Sequence, residues 1–457
     1  MTILSQLTAM RQYFDSGITK PYTFRKQQLL LLKQAVIAHE EEIYAALHAD
    51  LKKSKEECWV TENGFFLAEL NDTINHLRQW MAQESVRTNL LNLPSGSYIL
   101  REPLGVTLII GPWNYPFQLL FTPLIGAIAA GNCTVLKPSE FAPATSAVMQ
   151  KIIEATFPKE YILYMPGDGA TVIPGMMNFF TFDHVFYTGS TAVGKLIYQM
   201  AAERLVPVTL ELGGKSPCLV ESDANINIAA KRIVMTKFSN AGQMCVAPDY
   251  VLVHVSQKEA LVKAMKEKIT EFFGEHAEEC EHYGRLVNTK QFDRVAAYLA
   301  QGNLLHGGRQ NRSDLFIEPT LLDQVNLETA VMKEEIFGPV LPILTFHTAE
   351  EAKTIIAQNP NPLAFYVFTS SSAKETFWLN AVPAGGACVN NASWHLTNPY
   401  LPFGGRGFSG TGAYHGRYSF DTFSHKKAVM KTPTWFDPAI KYPPLKGKLK
   451  LFKWIIR

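Results

Sequence analysis

A carboxylate and a thiol in one stretch could carry covalent chemistry. Glu211 closes the run Val206-Pro-Val-Thr-Leu-Glu-Leu-Gly-Gly-Lys-Ser-Pro, and Cys245 sits in Phe238-Ser-Asn-Ala-Gly-Gln-Met-Cys-Val-Ala-Pro. Val208 to Leu210 is a β-branched, apolar run stopped by Gly213-Gly214, which predicts a strand that delivers Glu211 to its carboxyl end. Open α/β sheets hold their chemistry there. Gly242 and Gln243 precede the cysteine, so the backbone around it can approach a substrate closely, and a thiol in such a loop is better exposed than one in a core. A sulfur nucleophile with a carboxylate base points to covalent acyl chemistry. A lone cysteine more often simply packs, so its partners decide the matter.

One such partner is Asn114 in Gly111-Pro-Trp-Asn-Tyr-Pro-Phe, a side-chain amide between a predicted strand and a predicted helix. When a thiolate attacks an aldehyde the carbonyl oxygen becomes an alkoxide, and a fixed amide donor at that point is worth roughly 3 to 4 kcal/mol of barrier. Asn before a proline also serves as an Asx turn or helix cap, and the two uses are compatible.

These residues need elements to hold them. The chain has 457 residues, 47% hydrophobic and 18% charged, the composition of a soluble globular protein of two or three domains. A net charge of +2 selects no partner class and gives no basis for nucleic-acid binding. Cys58, Cys133, Cys218, Cys245, Cys280 and Cys388 lie far apart with no Cys-x-x-Cys pair, which argues against a zinc site or a disulfide framework and fits a reducing cytoplasm. The N-terminus lacks a basic region followed by an apolar core, so no secretory signal is expected. The longest apolar stretch, Phe117 to Ala130, is interrupted by Pro123 and is shorter than the roughly 20 residues that span a bilayer. It reads as a buried helix.

Residues 1–83 carry apolar residues at helical spacing, as in Leu29, Leu30, Leu32, Ala35, Val36 and Ile43, Leu47, Leu51, and predict an amphipathic helical lead-in. Residues 84–102 switch to Asn, Pro, Gly and Ser with short apolar runs, a hairpin-like excursion. Strand-like runs at Gly105–Ile110, Cys133–Leu136, Tyr161–Met165 and His184–Tyr187 then alternate with helical segments at Pro116–Ala130, Ala142–Thr156 and Ala192–Arg204. Such alternation predicts β-α-β units around a parallel sheet. It restarts beyond Leu212 with strands at Ser216–Val220 and Tyr250–Val255 and helices at Ile226–Phe238 and Lys258–Phe273. This is a second α/β domain, and it carries the cysteine.

Three further sites need sorting. Gly189-Ser190-Thr-Ala-Val-Gly194-Lys195-Leu196 begins like a P-loop, but Leu196 stands where a Ser or Thr must bind magnesium. The loop still follows a strand and opens a helix, so backbone amides and the helix dipole suit a pyrophosphate. Gly405-Arg-Gly-Phe-Ser-Gly410 matches Gly-x-Gly-x-x-Gly literally, yet it follows Pro402-Phe403, and Gly412 argues against an opening helix. It reads as a loop. Lys137 and Glu140 of Leu136-Lys-Pro-Ser-Glu lie at the end of a predicted strand; charges in such a turn are by default solvated.

Glu211-Leu-Gly-Gly-Lys-Ser-Pro and Gly242-Gln-Met-Cys-Val-Ala-Pro-Asp-Tyr together resemble the aldehyde dehydrogenase superfamily, and Ala-Pro-Asp-Tyr resembles its class 3, fatty and aromatic aldehyde branch. The likeness runs along nearly the whole chain. It implies an α/β, aldehyde dehydrogenase-like fold with a Rossmann-type cofactor domain over 1–83 and 103–209 and an α/β catalytic domain over 210–412. It adds a small β bridging element, 84–102 with 413–430, for assembly as a homodimer. Residues Leu401 to Phe423 resemble the strand by which members join a partner subunit's sheet. The active site is expected in the cleft between the two large domains.

The resemblance also implies roles. Cys245 corresponds to the nucleophile, Glu211 to the base that activates water, and Asn114 to the oxyanion donor, with the Cys245 backbone N–H beside it. Gly189, Ser190 and Gly194 correspond to the dinucleotide loop, Lys137 and Glu140 to contacts with the adenosine ribose, and Glu335 and Phe337 of Glu334-Glu-Ile-Phe-Gly-Pro-Val to contacts with the nicotinamide ribose. The implied cofactor is NAD, with NADP also accepted, and no metal is expected. The expected reaction oxidises a medium- or long-chain or aromatic aldehyde to the carboxylic acid through a thiohemiacetal and a thioester. The Cys245 surroundings should then be electropositive or rich in amides, because an unperturbed thiol has a pKa of about 8.5. Two rivals stand. Acyl transfer to coenzyme A also passes through a thioester, but branches that use it generally lack the glutamate; a non-catalytic structural protein could share the fold.

The tail, residues 431–457, ends in Lys441-Tyr-Pro-Pro-Leu-Lys-Gly-Lys-Leu-Lys-Leu-Phe-Lys-Trp-Ile-Ile-Arg457, without an acidic residue. Leu445, Leu449, Phe452 and Ile456 share a side, with Lys446, Lys450, Lys453 and Arg457 nearby, so a short basic amphipathic helix is expected. Either it lies at an anionic membrane surface and helps lipophilic aldehydes enter, or it packs on its own catalytic domain or on a partner subunit.

Overall fold

The computed structural model describes residues 2–455; Ile456 and Arg457, the expected end of the basic helix, lie outside the described residues. Helices α1 (Ile3–Asp15), α2 (Tyr22–Ala38) and α3 (Glu40–Leu51) form the lead-in. They bury Leu29, Leu32, Val36, Ile43, Leu47 and Leu51, while Leu30 falls on the outer face and is exposed. Helix α4 (Lys55–Cys58) runs through a π-helical turn, Trp59–Asn63, into α5 (Gly64–Met81). A π turn widens the spiral and re-aims its side chains. Here it turns Glu62 and Asn63 into the interior.

The hairpin β1 (Glu84–Val86) and β2 (Gly96–Pro103) leads into β3 (Val106–Ile110), α6 (Gln118–Ala130), β4 (Cys133–Lys137), α7 (Pro143–Thr156), β5 (Ile162–Tyr164), α8 (Gly169–Met177), β6 (His184–Thr188), α9 (Thr191–Ala202) and β7 (Val208–Glu211). Strands β3, β4 and β6 are buried along their whole length, as the strands of a parallel sheet covered by helices on both faces must be. The parallel order is β5-β4-β3-β6-β7. Connections run outward in opposite directions from β3 and β6, which opens a crevice at their carboxyl ends, the place where doubly wound sheets take ligands. The segments 111–114 and 189–190 leave the sheet there. β7 continues to Glu211, so this sheet runs past residue 209, the end that the family resemblance implies for the cofactor domain, and it sets Glu211 at the strand's carboxyl end as the apolar run predicts.

The second sheet is built from β8 (Pro217–Val220), α10 (Ile226–Phe238), β9 (Tyr250–His254), α11 (Lys258–Phe273), α12 (Thr289–Ala296), β10 (Asn303–His306), the small pair β11 (Gln310–Asn311) and β12 (Phe316–Ile317), β13 (Thr320–Asp323), α13 (Ala330–Lys333), β14 (Val340–Phe346), α14 (Ala349–Ala357), β15 (Ala364–Phe368), α15 (Ser372–Ala381) and β16 (Gly386–Val389). Its order is β10-β13-β14-β9-β8-β15-β16, parallel except at the β10 edge. Cys245 lies in the loop from α10 to β9.

The expected strand over Leu401–Phe423 is not what forms. The segment holds turns, the two-residue β17 (Gly410–Thr411) and α16 (Gly416–Thr422), and the long strand β18 (Ser424–Lys431) begins only afterwards. Gly407, Gly410 and Gly412 take positive φ values of 60°, 147° and 88°, which breaks an extended run. β17 returns to the first sheet, antiparallel to β7 with Gly410 opposite Glu211, and β18 joins β2 and β1 in a three-stranded sheet. The tail ends in α17 (Leu449–Ile455), with Leu445 ahead of the helix rather than on its face. Leu449 and Trp454 are exposed and Phe452 half-buried. Among the described residues no helix is long and apolar enough to cross a membrane, and no cluster of three His, Cys, Asp or Glu side chains could hold a metal ion.

Candidate active site

The cysteine loop is shaped by a left-handed run. Asn240, Ala241 and Gly242 have φ values of 49°, 50° and 75°, and a Cβ at Gly242 would lie 2.3 Å from the Gly338 carbonyl oxygen. Only glycine fits that approach. Gln243, fully buried, ties the loop down: its Nε2 donates to the carbonyls of Asn240 (3.0 Å) and Arg285 (2.9 Å), and its Oε1 accepts from Val287 N (3.0 Å). Cys245, two residues on, is a free, half-buried thiol facing the cleft.

Asn114 arrives on the segment that leaves β3. It is buried, and its Nδ2 donates to the Gln243 carbonyl at 3.0 Å. An amide NH2 has two hydrogens, so the second is free for a ligand in the cleft it lines. Glu211 comes in from the end of β7, beside Thr188 of β6. Neither of its carboxylate oxygens has a protein partner, and burial pushes its pKa well above the ordinary range. Burial first, and then the Glu335 and Glu211 carboxyls, push the Cys245 thiol up as well, while the backbone amides of Cys245 and Val246 pull it down. The thiol's surroundings are amide-lined rather than electropositive.

These three groups share a cleft of about 280 Å³ with Trp113, Gly189, Ser190, Glu335 and Phe337. Ser190 caps α9, its hydroxyl accepting from Val193 N, so the positive end of a three-turn helix faces the cleft. Gly194 does not line it. It lies inside α9, where a Cβ would meet Leu212 at 2.6 Å, so its part is close packing.

The segment 334–338 is held by Arg294, which the sequence did not mark, and by Asp249 and Lys215 of the two motif stretches. Arg294 on α12 donates to the carbonyls of Glu335 (3.1 Å) and Ile336 (2.8 Å) and to Tyr298 Oη (2.8 Å). Asp249 accepts from Ile336 N at 3.0 Å and pairs with buried Lys215. Thus fixed, Phe337 takes a φ of 47° and meets Trp113 edge-on, 5.3 Å between centroids. Burial raises Glu335 to about 8, with Asp249 adding to it, and its Oε1 has no partner. Arg294 and Gln291 lie on the cleft wall, yet no local motif marks them: Arg294 and Glu335 are 41 residues apart and meet only in the fold.

Lys137 and Glu140 stand apart from that lining, at the carboxyl end of β4. Lys137 is buried, not solvated; its Nζ donates to Pro138 O (2.5 Å) and Glu140 Oε2 (3.3 Å). Burial lowers its pKa. Glu140 is exposed, and its Oε1 accepts from Gly169 N at 3.2 Å, at the start of α8.

Comparisons with known proteins give the family and the fold. The model of the aldehyde dehydrogenase family matches residues 4–429. A 4,4'-diaponeurosporen-aldehyde dehydrogenase of Staphylococcus aureus is 46% identical over 445 residues, 97% of this chain and 96% of that protein. A dimeric NADP-preferring aldehyde dehydrogenase of Rattus norvegicus is 40% identical, covering 96% of this chain and 97% of its own. The substrate-bound structure of Staphylococcus aureus AldH superposes with a TM-score of 0.98 at 44% identity, with both chains covered completely. An indole-3-acetaldehyde dehydrogenase complexed with NAD+ superposes with a TM-score of 0.85 at 30% identity over 94% of this chain and 88% of that one.

Proposed function

The chain belongs to the aldehyde dehydrogenase family, and from that premise we propose that it oxidises a medium- or long-chain or aromatic aldehyde to the carboxylic acid, using Cys245 as nucleophile. The observation that carries this reading is the meeting, in one cleft, of a half-buried thiol, an amide donor and a buried carboxyl with neither oxygen bonded to a protein group. Structural ion pairs do not leave a carboxyl so placed.

The residues of the cleft suit a dinucleotide. Glu335 Oε1 is buried without a partner, as a carboxylate awaiting a ribose hydroxyl would be. Gly189 and Gly213 have no room for side chains, since a Cβ would strike Tyr187 Oη at 2.3 Å and Glu335 Oε2 at 2.0 Å, so bare backbone faces the cleft at the α9 N-terminus. These features fit a dinucleotide. Ser190 and the α9 N-terminus would hold its pyrophosphate, Glu335 and Phe337 its nicotinamide ribose, and Lys137 and Glu140 its adenosine ribose. The NAD+ complex of the indole-3-acetaldehyde dehydrogenase supports NAD. NAD is preferred, because Glu140 at the adenosine end suits ribose hydroxyls and repels a phosphate; NADP is accepted too, since Glu140 is exposed, and the name of the rat relative supports this.

Chemistry then follows from the side chains. Cys245 reacts as the thiolate, its proton released to solvent; the sulfur bonds to the carbonyl carbon, and the oxygen, now an alkoxide, is held by the free Asn114 amide hydrogen and the Cys245 backbone N–H. When bound, an oxidised nicotinamide held by Glu335 and Phe337 would supply the hydride acceptor. As the carbonyl re-forms, the carbon loses hydride and Cys245 carries a thioester. Glu211 takes a proton from water, the hydroxide adds, the C–S bond breaks, and the acid leaves as the cysteine sulfur is freed.

The name of the Staphylococcus aureus relative supports a long lipophilic aldehyde. The protein works in the cytoplasm as a homodimer, readings supported by its six free cysteines and by the dimeric rat relative. Its tail rests on anionic membrane surfaces, since Trp435, Leu445, Leu449 and Trp454 are exposed among lysines. The test is to follow NADH absorbance with aldehydes graded in chain length and ring content, with and without coenzyme A, and to identify the product. The free acid is expected under both conditions. No NADH from any aldehyde would contradict oxidation, and an acyl-CoA product would overturn hydrolysis.

A further inference from the structure

Behind the oxyanion donor lies a buried ionic cluster that this scheme leaves unused. Lys53 Nζ and Glu62 Oε1 pair at 2.8 Å, and neither side chain has any exposed surface. Lys53 follows α3, and Glu62 sits on the π turn that swings it inward. The lysine's other acceptor is the Asn114 backbone carbonyl at 3.1 Å, and its ammonium lies 3.8 Å from the centre of the Tyr115 ring. The second Glu62 oxygen accepts from Gln118 N at 2.8 Å, the first residue of α6. The pair therefore grips both ends of the segment 114–118.

Asn240 closes the frame from the cysteine side. Its Nδ2 donates to the Asn114 carbonyl (2.8 Å) and to the Gln243 carbonyl (3.2 Å), and its backbone N donates to Glu57 Oε1 (2.9 Å). The Asn114 carbonyl thus takes one hydrogen bond from Lys53 and one from the cysteine loop, while its amide donates back to that loop at Gln243. A fully buried ion pair is weak evidence of stabilisation, because desolvation offsets much of the attraction. What this pair fixes is the peptide group of the residue that must aim at the alkoxide.

We propose that Lys53 and Glu62 are positioning residues for the oxyanion donor: they hold the Asn114 backbone so that its free amide hydrogen and the Cys245 N–H converge on one point. This rests on the reading of Asn114 as that donor. A displacement of about 1 Å at such a point lowers rates by about 10²-fold.

The experiment is a double-mutant cycle on the whole enzyme. Lys53→Met with Glu62→Gln removes both charges together, so neither is left buried and unpaired. It is made in the wild-type and in the Asn114→Ala background, and kcat, the aldehyde and cofactor KM, and Tm are measured for each. In the wild-type background the pair lowers kcat about 10-fold or more while cofactor KM holds within about 2-fold; in the Asn114→Ala background it lowers kcat no further. Equal losses in both backgrounds would reduce the pair to general support and overturn the proposal. So would a wild-type kcat in the charge-pair variant when Asn114→Ala alone is impaired. Full kcat in Asn114→Ala alone refutes the donor reading itself, and the proposal with it. Should the double substitution not fold, Lys53→Met alone is run through the same cycle with the same outcomes: burial raises the Glu62 pKa, so the carboxyl left behind takes a proton and stands neutral.

Discussion

Glu211→Gln separates the two halves of the reaction. The substitution keeps the side chain's shape and breaks no protein hydrogen bond, because neither Glu211 oxygen has one. It removes the proposed base. A positioned general base contributes about 10²- to 10⁴-fold, so the deacylation barrier should rise by roughly 2.7 to 5.4 kcal/mol. Attack by Cys245 and loss of hydride do not use Glu211, so the first turnover survives. Rapid mixing with aldehyde and NAD should show a burst of NADH equal to the enzyme present, then a steady rate lowered by at least about 10²-fold. Intact-protein mass after quenching should find the acyl group on Cys245. The pH dependence follows with its sign. Burial raises the Glu211 pKa, and the base is active only when deprotonated, so wild-type steady-state turnover climbs as pH rises toward that value. The variant lacks this limb. Unchanged steady-state turnover would refute the assignment; loss of the burst itself would mean that Glu211 acts before hydride loss, and would refute the division of labour.

Three further outcomes are expected. Gly213→Ala puts a Cβ 2.0 Å from Glu335 Oε2, so it should displace that carboxyl and raise the cofactor Kd, measured by fluorescence titration, while Tm stays near wild type; an unchanged Kd would count against Glu335 as a cofactor contact. His184 is buried on β6, Nε2 to Thr209 Oγ1 at 3.1 Å, and burial lowers its pKa from 6.5 to about 4. The unfolded chain therefore takes up the proton first, and this residue's share of stability is lost as pH falls from 6.5 toward 4: about 2 kcal/mol between pH 7 and pH 5, read from urea unfolding and absent in His184→Gln. Deleting residues 445–457 should depress turnover of long aldehydes more than short ones and release the protein from anionic vesicles; equal effects with unchanged vesicle binding would exclude a membrane role for the tail.

How much of this was legible in the sequence depends on range. Glu211, Cys245 and Asn114 stood out because each lies where a strand or helix meets small residues, and the fold brings all three to one cleft. The β-α-β alternation likewise foretold both sheets, since strands buried on both faces read as continuous apolar runs. Local pattern failed where tertiary contact decides. Arg294 reads as one cation on an amphipathic helix until α12 is laid against Glu335. Lys137 reads as a surface charge until β4 is placed in the middle of a sheet. Asn240 and Ala241 give no hint of their positive φ, which the buried contacts of Gln243 impose on the loop. The strand expected over 401–423 came from the family resemblance and not from the spacing of its residues; its glycines bend the segment back toward β7, and the pairing passes to β18.

The central claim is that the Cys245 sulfur forms the bond to the aldehyde. Cys245→Ala tests it most directly: the variant is titrated with NAD, then mixed with NAD and aldehyde while NADH absorbance is followed. Cofactor binding within about 2-fold of wild type is expected, with no NADH above the rate without enzyme, including in the first turnover. Normal oxidation by Cys245→Ala would contradict it.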